Sequence, residues 1–422
     1  MSAFPPRSVT TAFGPLHLAV ALDGAGRHPG AWREPGARPE ALFTARYWAE
    51  VVAEAEAGLL DFVTFEDGFA LQTSASDGPD GRTDRVRGRL DAVLTAARVA
   101  PLTRHLGLVP AVTTTHTEPF HVSKAVATLD HVSRGRAGVH VQVSGLPHEE
   151  RHFGRRATPL SGAEPYEEAA DHVEVVRRLW DSWEDDAEIR DVATGRFVDR
   201  AKLHHIDFEG RYFRVRGPSI TPRPPQGRPV VSAAVAPGDC DAAYRLVARS
   251  ADLGFLAARG LQESVAGVEA VRRAREPAGP GDESPHLFGE LIVFLDEDGP
   301  AAAGRRERLD ALAGGPYDGD AEVFAGSPGA LADLLEERRT AGLSGFRLHP
   351  AAIAHDLPAI TRGLVPELQR RGLFRTTYGA DTLRGLLGLD PHPANRYAPA
   401  PAAVGRPARP RRLTRTIRKD EP

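Results

Sequence analysis

Eight short apolar runs, separated by segments long enough to form helices, constrain the fold of this chain more than any other feature. The candidate strands are Leu16–Leu22, Phe62–Phe65, Leu106–Val112, Gly138–Val143, Val230–Val235, Leu253–Ala257, Leu287–Leu295 and Gly345–Leu348. Several runs are continuously apolar, which is typical of strands buried on both faces of a parallel sheet. The pattern predicts an α/β fold, and a closed (β/α)8 TIM barrel more readily than an open sheet.

The segments between these runs carry helical signals. The predicted helices are Ala41–Ala57, Leu90–Val99, Ser123–Val132, Tyr166–Trp183 and Pro328–Ala341. The first is expected to end because Gly58 adopts the left-handed conformation of a C′ glycine. The last follows Ser327, a potential N-cap, and stops before Gly342.

Long insertions interrupt the barrel pattern at three places. Thr73–Gly88 follows the second strand, Leu146–Pro165 follows the fourth, and Trp183–Gln226 precedes the fifth with a possible hairpin at His205–Val215. In a barrel, the loops that follow strands build the active site. We expect the first two insertions to shape the substrate pocket.

The composition changes at Pro391 to proline, alanine and arginine. This predicts one barrel domain over residues 10–390 and a disordered tail over residues 391–422. The alternative for the tail is an arm that packs on a neighbouring subunit or a partner.

Composition excludes several classes of protein. The formal net charge is −4, so no overall basic field would hold nucleic acid or an anionic membrane. The single cysteine, Cys240, excludes an intrachain disulfide and a cysteine-based zinc site. No signal peptide and no apolar run of membrane-spanning length is present, which predicts a soluble, cytoplasmic protein.

Histidine pairs give no metal-binding signature, because none of them forms H-E-x-x-H. The pairs are His116 with His121, His204 with His205, and His349 with His355. We expect these side chains to be scattered over the surface, and we expect no metal site.

Four long stretches carry a specific sequence pattern: Glu118–Val141 (EPFHVSKAVATLDHVSRGRAGVHV), Tyr166–Ala187 (YEEAADHVEVVRRLWDSWEDDA), His205–Val231 (HIDFEGRYFRVRGPSITPRPPQGRPVV) and Leu364–Leu389 (LVPELQRRGLFRTTYGADTLRGLLGL). They resemble the nitrilotriacetate and dibenzothiophene-sulfone monooxygenase branch of the bacterial luciferase-like flavin-dependent monooxygenases. With the first two strands, the resemblance covers roughly residues 10–390.

The resemblance implies a two-component FMN enzyme. A separate reductase would supply reduced flavin, which reacts with O2 so that a small or medium-sized organic substrate is oxygenated. Such chemistry needs a pocket that excludes water. The resemblance also implies a homodimer or homotetramer. The chain has no convincing G-x-G-x-x-G dinucleotide motif, which is consistent with reduction by another protein.

Candidate site residues follow from the same resemblance. Asp67 ends the second strand where the family places an aspartate near the flavin ring, although it could instead cap the following turn. Thr113, Thr114 and Thr115 end the third strand, and Thr114 is the best single choice for a flavin contact. His140 lies within the fourth strand as a candidate catalytic residue, or equally as a satisfied core histidine.

Ser144 follows the fourth strand and matches a serine of the family at the cofactor site. The expected phosphate end consists of Tyr166, which matches a family tyrosine that reaches the phosphate or else is a packing tyrosine, and the loop around Gly238. Tyr166 opens a predicted helix, whose N-terminus would attract an anion. Gly238 and nearby amides could form an anion-binding nest.

Two departures from the family pattern concern this phosphate end. Gly162 stands where the family has a phosphate-binding histidine, and Ser232–Arg245 lacks the family's serine after the fifth strand. The alternatives are therefore an enzyme that uses another cofactor such as a deazaflavin, or a barrel that has lost flavin and acts as a non-catalytic binding protein.

Overall fold

A computed structural model of the chain describes residues 14–73, 78, 80–156, 158–276 and 284–398. Eight parallel strands close into a barrel, which confirms the predicted fold. They are β1 His17–Leu22, β2 Phe62–Phe65, β3 Gly107–Thr113, β4 Gly138–Gln142, β5 Val230–Val235, β6 Leu253–Leu256, β7 His286–Leu295 and β8 Gly345–Pro350. Each strand pairs with its neighbour in sequence, and β8 pairs back onto β1, where His17 opposes Gly345.

Helices surround this barrel. They are α1 Ala45–Ala57, α2 Ala92–Val99, α3 Pro119–Ser133, α4 Pro147–Phe153, α5 Glu164–Asp181, α6 Asp241–Ser250, α7 Gly260–Arg275, α8 Gly299–Ala313, α9 Pro328–Arg339, α10 Ile353–Ala359, α11 Val365–Arg370 and α12 Leu383–Leu386, with a π-helical segment Ile360–Leu364 between α10 and α11. Short 3-10 turns lie at Ala31–Arg33, Pro39–Ala41, Ala100–Leu102, Thr114–His116 and Arg200–Lys202. The side chain of Ser327 caps α9 by accepting a hydrogen bond from the Ala330 amide, as predicted.

The end of α1 corrects one prediction. The helix ends at Ala57 as expected, but Gly58 has φ −78°, and the left-handed residue is Leu59 at φ 57°. Gly58 is needed for a close approach instead, because a Cβ there would lie 2.4 Å from Thr361 Cγ2.

One parallel strand escaped the sequence analysis. Glu322–Gly326 pairs with the last five residues of β7, beyond the part of β7 that pairs with β6. The first four residues of this strand are half-buried, and the first of them, Glu322, is charged. The strand therefore lacks the continuous apolar run that marks the barrel strands.

The base of the barrel is closed by apolar side chains. Leu383, in α12, packs beneath the sheet against Phe62, Phe255 and Phe288. A Cβ on Gly107 would lie 2.6 Å from Leu383 Cδ1, so this close packing requires a glycine at the start of β3. Because the base is filled, only the opposite end of the barrel, at the C-terminal ends of the strands, is available for a deep site.

Strand alternation turns the barrel interior from apolar to polar along its axis. On β2, Phe62 is followed at intervals of two by Thr64 and Glu66, so these three side chains share one face. The same spacing relates Phe288 to Glu290 on β7. The interior side chains are therefore hydrophobic at the base and charged at the mouth.

The segment before β5 forms two small hairpins, Glu188–Asp191 with Arg196–Val198 and Phe208–Glu209 with Arg214–Val215. The second lies inside the predicted hairpin. The first eight residues of the predicted tail, 391–398, pack against the barrel, where Asn395 Nδ2 donates to the carbonyls of Asp181 and Trp183. Residues 399–422 lie outside the described residues, so disorder there stays a prediction.

Candidate active site at the mouth of the barrel

A cleft of about 1060 Å³ opens at the C-terminal ends of the barrel strands. Its walls come from the loops after β1, β2 and β4, from the segment 316–320, and from the inward side chains of the strands. Ligand pockets usually have volumes of about 300–1,000 Å³, so this cleft can hold a large cofactor together with a small molecule.

The floor network of the cleft consists of four buried residues, Thr64, Glu290, Arg347 and His349, and of Glu66, whose side chain is 9% exposed. All of them except Thr64 line the cleft. Arg347 and Glu290 are opposed in the β7–β8 register, and Arg347 Nε lies 2.7 Å from Glu290 Oε1. Arg347 also donates to Glu66 Oε1 at 3.4 Å, and His349 Nε2 lies 3.0 Å from Glu290 Oε1. All the charged groups of this network therefore have partners.

The floor network keeps its two carboxylates ionised. Burial raises the pKa of Glu66, but the nearby charges, led by that of Arg347, outweigh burial and lower this pKa to about 2. Glu290 has the same opposing causes, and its pKa is also held below the usual range. The floor thus presents fixed charges at neutral pH.

His140 lies beside this network in the cleft wall, and 3% of the residue is exposed. Its Nδ1 is 3.2 Å from Ser232 Oγ, and that hydroxyl donates its one hydrogen to the Val139 carbonyl. In the Nδ1–H tautomer, His140 donates to Ser232 Oγ and its Nε2 is free to accept a proton. Burial and the charge of Arg347 lower the pKa of His140 to about 4, so the ring is a neutral base at pH 7.

Asp67 lines the cleft, as expected from its place after β2. Its Oδ1 accepts from the Gly68 amide at 2.7 Å and its Oδ2 from the Ala92 amide at 2.9 Å. Burial raises its pKa despite these bonds. Each carboxylate oxygen thus already holds a backbone amide, which is the capping arrangement that the sequence left open as an alternative.

The threonines after β3 divide between the wall and its support. Thr113 lines the cleft, whereas Thr114 is buried and donates to the Gln142 carbonyl at 3.1 Å. Thr115 Oγ1 accepts from the Ser144 amide at 2.9 Å, and Ser144 lines the cleft. Thr114 therefore supports the wall that Thr113 and Ser144 form.

Tyr166 lines the same cleft from the first turn of α5, but Gly238 does not. Burial raises the pKa of Tyr166, with further contributions from Asp239 and Cys240. Gly238, at φ 91°, belongs to a separate outer groove along α6 and α7. The structure thus brings Asp67, His140, Ser144 and Tyr166 together and leaves Gly238 outside.

Charged residues at the rim were missed by the sequence analysis. Arg89 binds Asp23 through two hydrogen bonds of 3.1 and 2.9 Å, and Arg27 pairs with Asp320. The signal that the sequence offered for such residues was a charged side chain within or directly after an apolar strand, as at Glu290. The sequence did not show which of these charges would meet.

Two histidines correct the expectation of scattered surface side chains. His349 is buried in the floor network, and His116 is 6% exposed. The ring of His116 stacks on Phe153 of α4 at a centroid distance of 4.9 Å. The ring of Phe69 makes edge-to-face contacts with both of these rings. Within the described residues, no group of three or more His, Cys, Asp or Glu is arranged to hold a metal ion.

Loops interlock over one side of the cleft. Trp32 Nε1 donates to the Asp84 carbonyl at 3.2 Å, and Arg82 donates to the Ala313 carbonyl at 2.7 Å. The loops after β1 and β2 and the end of α8 therefore form one connected roof.

No helix in the described part of the chain is long and apolar enough to cross a membrane.

Comparison with known proteins places this geometry among relatives. The chain matches the family model for luciferase-like monooxygenases over residues 24–360. It is 30% identical to N-acetyl-S-(2-succino)cysteine monooxygenase of Bacillus subtilis (strain 168), over 91% of this chain and 98% of the relative. It is also 30% identical to nitrilotriacetate monooxygenase component A of Aminobacter aminovorans, over 89% and 96% of the two chains.

Solved structures agree in fold. A long-chain alkane monooxygenase superposes with a TM-score of 0.80 at 24% identity, covering 90% of this chain and 98% of that one. A riboflavin lyase solved with modified FMN and riboflavin superposes with a TM-score of 0.79 at 26% identity, over 90% and 98% of the two chains.

Proposed function

The chain belongs to the luciferase-like monooxygenase family, and from this we propose that it is a two-component, flavin-dependent monooxygenase. It binds FMN that a separate reductase has reduced and, with O2, oxygenates a small or medium-sized organic substrate. The name "component A" of the nitrilotriacetate relative supports a two-component system. The observation that carries the proposal is the large cleft, with its buried polar floor, at the barrel mouth of a chain similar over nearly its whole length to monooxygenases.

The residues of the cleft fit the ring system of a flavin. Apolar side chains such as Val141, Ala234 and Leu246 can face a flat aromatic surface. His140 and the floor network supply both acceptors and donors for the polar edge of such a ring. Thr113, Ser144 and Tyr166 would complete the cofactor wall.

The bound flavin supplies the electrons that activate O2, and the protein's residues set the conditions for this chemistry. The hydrogen-bonded loops of the roof would limit the access of water to one side of the cleft. The unprotonated His140 Nε2 can accept a proton from the substrate or the cofactor, because its pKa of about 4 keeps it neutral. The paired floor charges do not change state near neutral pH.

A deazaflavin cofactor is an alternative outcome. A secondary alcohol dehydrogenase that depends on coenzyme F420 superposes with a TM-score of 0.59 at 14% identity, which concerns the fold alone. We further propose a cytoplasmic homodimer or homotetramer, with no nucleic-acid or membrane partner.

Anaerobic titration with oxidised and photoreduced FMN, followed by flavin absorbance and fluorescence, tests the proposal. Saturable binding, tighter for the reduced form, is expected. Addition of O2 to the complex should then oxidise the bound reduced FMN. Hydrogen peroxide should be released more slowly than from free reduced FMN. Binding of a deazaflavin but not FMN would contradict the FMN assignment, and binding of neither would contradict a flavin enzyme.

A further inference from the structure

One end of the cleft is electrically neutral. The side chains that line it between the end of β4, the start of α5 and the end of β5 are those of Gln142, Val143, Ser144, Tyr166, Ala234 and Leu246. None of these described residues carries a charge. We call this region the α5 end of the cleft.

The cations that line the cleft lie elsewhere and are already paired, and Arg156, which donates to the Thr115 carbonyl behind this end, is paired with Glu168. Arg347 belongs to the floor network, Arg89 binds Asp23, and Arg27 pairs with Asp320. Arg85 lies 3.9 Å from Asp80. Moving any of these guanidinium groups to the α5 end would leave its carboxylate without that partner.

A carboxylate stands beside the α5 end instead. Asp239, in the loop between β5 and α6, is half-buried and close enough to Tyr166 to contribute to its raised pKa, after burial itself. Asp239 Oδ2 accepts from the Ala236 amide at 2.7 Å. The loop after β5 therefore satisfies one of its own amides and adds a negative charge, where an anion nest would need free amides.

The start of α5 also offers a phosphate little attraction. A helix N-terminus attracts anions, but the Ser161 amide donates to the carboxylate of Glu164, which already lies in the first turn. Gly162 has no side chain, and the space around the position of its Cβ is open within 4 Å.

We propose that this site binds flavin without using the 5′-phosphate, so that riboflavin and FMN bind with similar affinity. The inference rests on the proposed flavin function and concerns only the phosphate end. The ring and the ribityl chain are held in the cleft, and the phosphate dianion meets a neutral wall flanked by Asp239. The ligand class is thus a flavin in general, phosphorylated or not.

Parallel titrations of the full chain with FMN and riboflavin, each oxidised and photoreduced under anaerobic conditions, test this. Charge-assisted hydrogen bonds to a phosphate are each worth roughly tenfold in affinity, so a working clamp would favour FMN by about a hundredfold. We expect a preference of less than about fivefold, which one weak contact would give. A larger preference for FMN would overturn the inference and leave the proposed function standing.

The variant Asp239→Asn tests the cause. Its amide oxygen can still accept from Ala236, so the loop keeps its hydrogen bond while the charge disappears. FMN should bind about fivefold more tightly at low ionic strength, and riboflavin should change by less than about twofold. The matched control Asp241→Asn removes an exposed charge of the outer groove and should change neither affinity.

The remaining outcomes are decisive. Unchanged or weaker FMN binding by Asp239→Asn would overturn the role of Asp239. Failure of both flavins to bind the unmodified protein would overturn the proposed function, and this inference with it.

Discussion

Two groups of buried polar side chains, one at the floor of the cleft and one behind its lining, differ in how completely their atoms are hydrogen-bonded. In the floor network, Arg347, Glu290 and His349 meet within hydrogen-bond distance. The second cluster, which we call the α4 cluster, consists of His116, His148, Glu150, Glu168 and His172. Among the described residues, both ring nitrogens of His116 and His148 lack hydrogen-bond partners, as do Glu150 Oε1, Glu168 Oε2 and His172 Nε2, although His116 Nδ1 lies 3.9 Å from Glu150 Oε2.

The difference has a mechanical consequence. An unpaired buried polar group costs about 1–3 kcal/mol, so hydration or displacement of the α4 cluster regains energy, whereas breaking the floor network loses it. α4 also carries Glu149 and follows Leu146, both of which line the cleft, and glycines 145 and 154 flank it. We therefore expect the wall at α4 to yield more easily than the floor of the cleft.

The largest expected effect comes from removing the central cation of the floor. Arg347→Met leaves Glu290 and Glu66 buried without their main positive partner, which should lower the free energy of unfolding by about 3–5 kcal/mol. Urea denaturation measures this. Arg46→Met, which removes a pair with Glu50 whose side chains are 86% and 40% exposed, is the control and should cost far less. Equal losses of unfolding free energy in both variants would show that the ion pairs of the floor network stabilise the protein no more than an exposed pair does.

Acid should destabilise both regions through neutral histidines. Burial lowers the pKa of His140 to about 4 and that of His172 to about 3, in each case with help from an arginine. The unfolded chain takes up these protons from pH 6.5 downward while the folded chain resists, so stability falls with pH from about 6.5 to about 4. Each histidine contributes a loss of about 3 kcal/mol over this range.

The variants His140→Asn and His172→Phe should each flatten the pH dependence of the unfolding free energy between pH 6.5 and 4. His205→Asn, at an exposed position, is the control and should leave the slope unchanged. An unaltered slope in His140→Asn would mean that this ring is not held neutral by burial.

The smallest expected effect comes from replacing one histidine of each cluster by leucine, and this comparison distinguishes the two clusters most clearly. His349→Leu removes a partner of the Glu290 carboxylate and should cost about 1.5–3 kcal/mol. His148→Leu removes two unpartnered nitrogens from a buried position and should change stability by less than about 1 kcal/mol, or increase it. A costly His148→Leu would show that solvent or another molecule pairs with this ring.

The fold was predictable because its main signal is local. Phe62–Phe65 and Val230–Val235 were placed to the residue, since their β-branched and aromatic runs mark buried parallel strands. Glu322–Gly326 was missed because only its pairing with β7 makes it a strand. The role of Gly58 depends on its contact with Thr361, about three hundred residues away in the chain, which local rules do not contain.

The site was predictable only in part. The resemblance selected Asp67, His140, Ser144 and Tyr166, which line one cleft, and also Thr114 and Gly238, which do not line it. The floor network escaped because Glu66, Glu290 and Arg347 are brought together by strand register, and one sequence without long-range contacts does not fix that register.

The central claim is that flavin binds in the barrel-mouth cleft, and a blocking experiment tests it most directly. Gly145 lines this cleft with open space around it, so Gly145→Trp would place a large side chain at the cleft, whereas Ala266→Trp would place one at the outer groove. Anaerobic titration with photoreduced FMN should show a loss of affinity of about tenfold or more in Gly145→Trp and none in Ala266→Trp. Unchanged binding by Gly145→Trp, with a loss in Ala266→Trp, would contradict the account and move the flavin site to the outer groove.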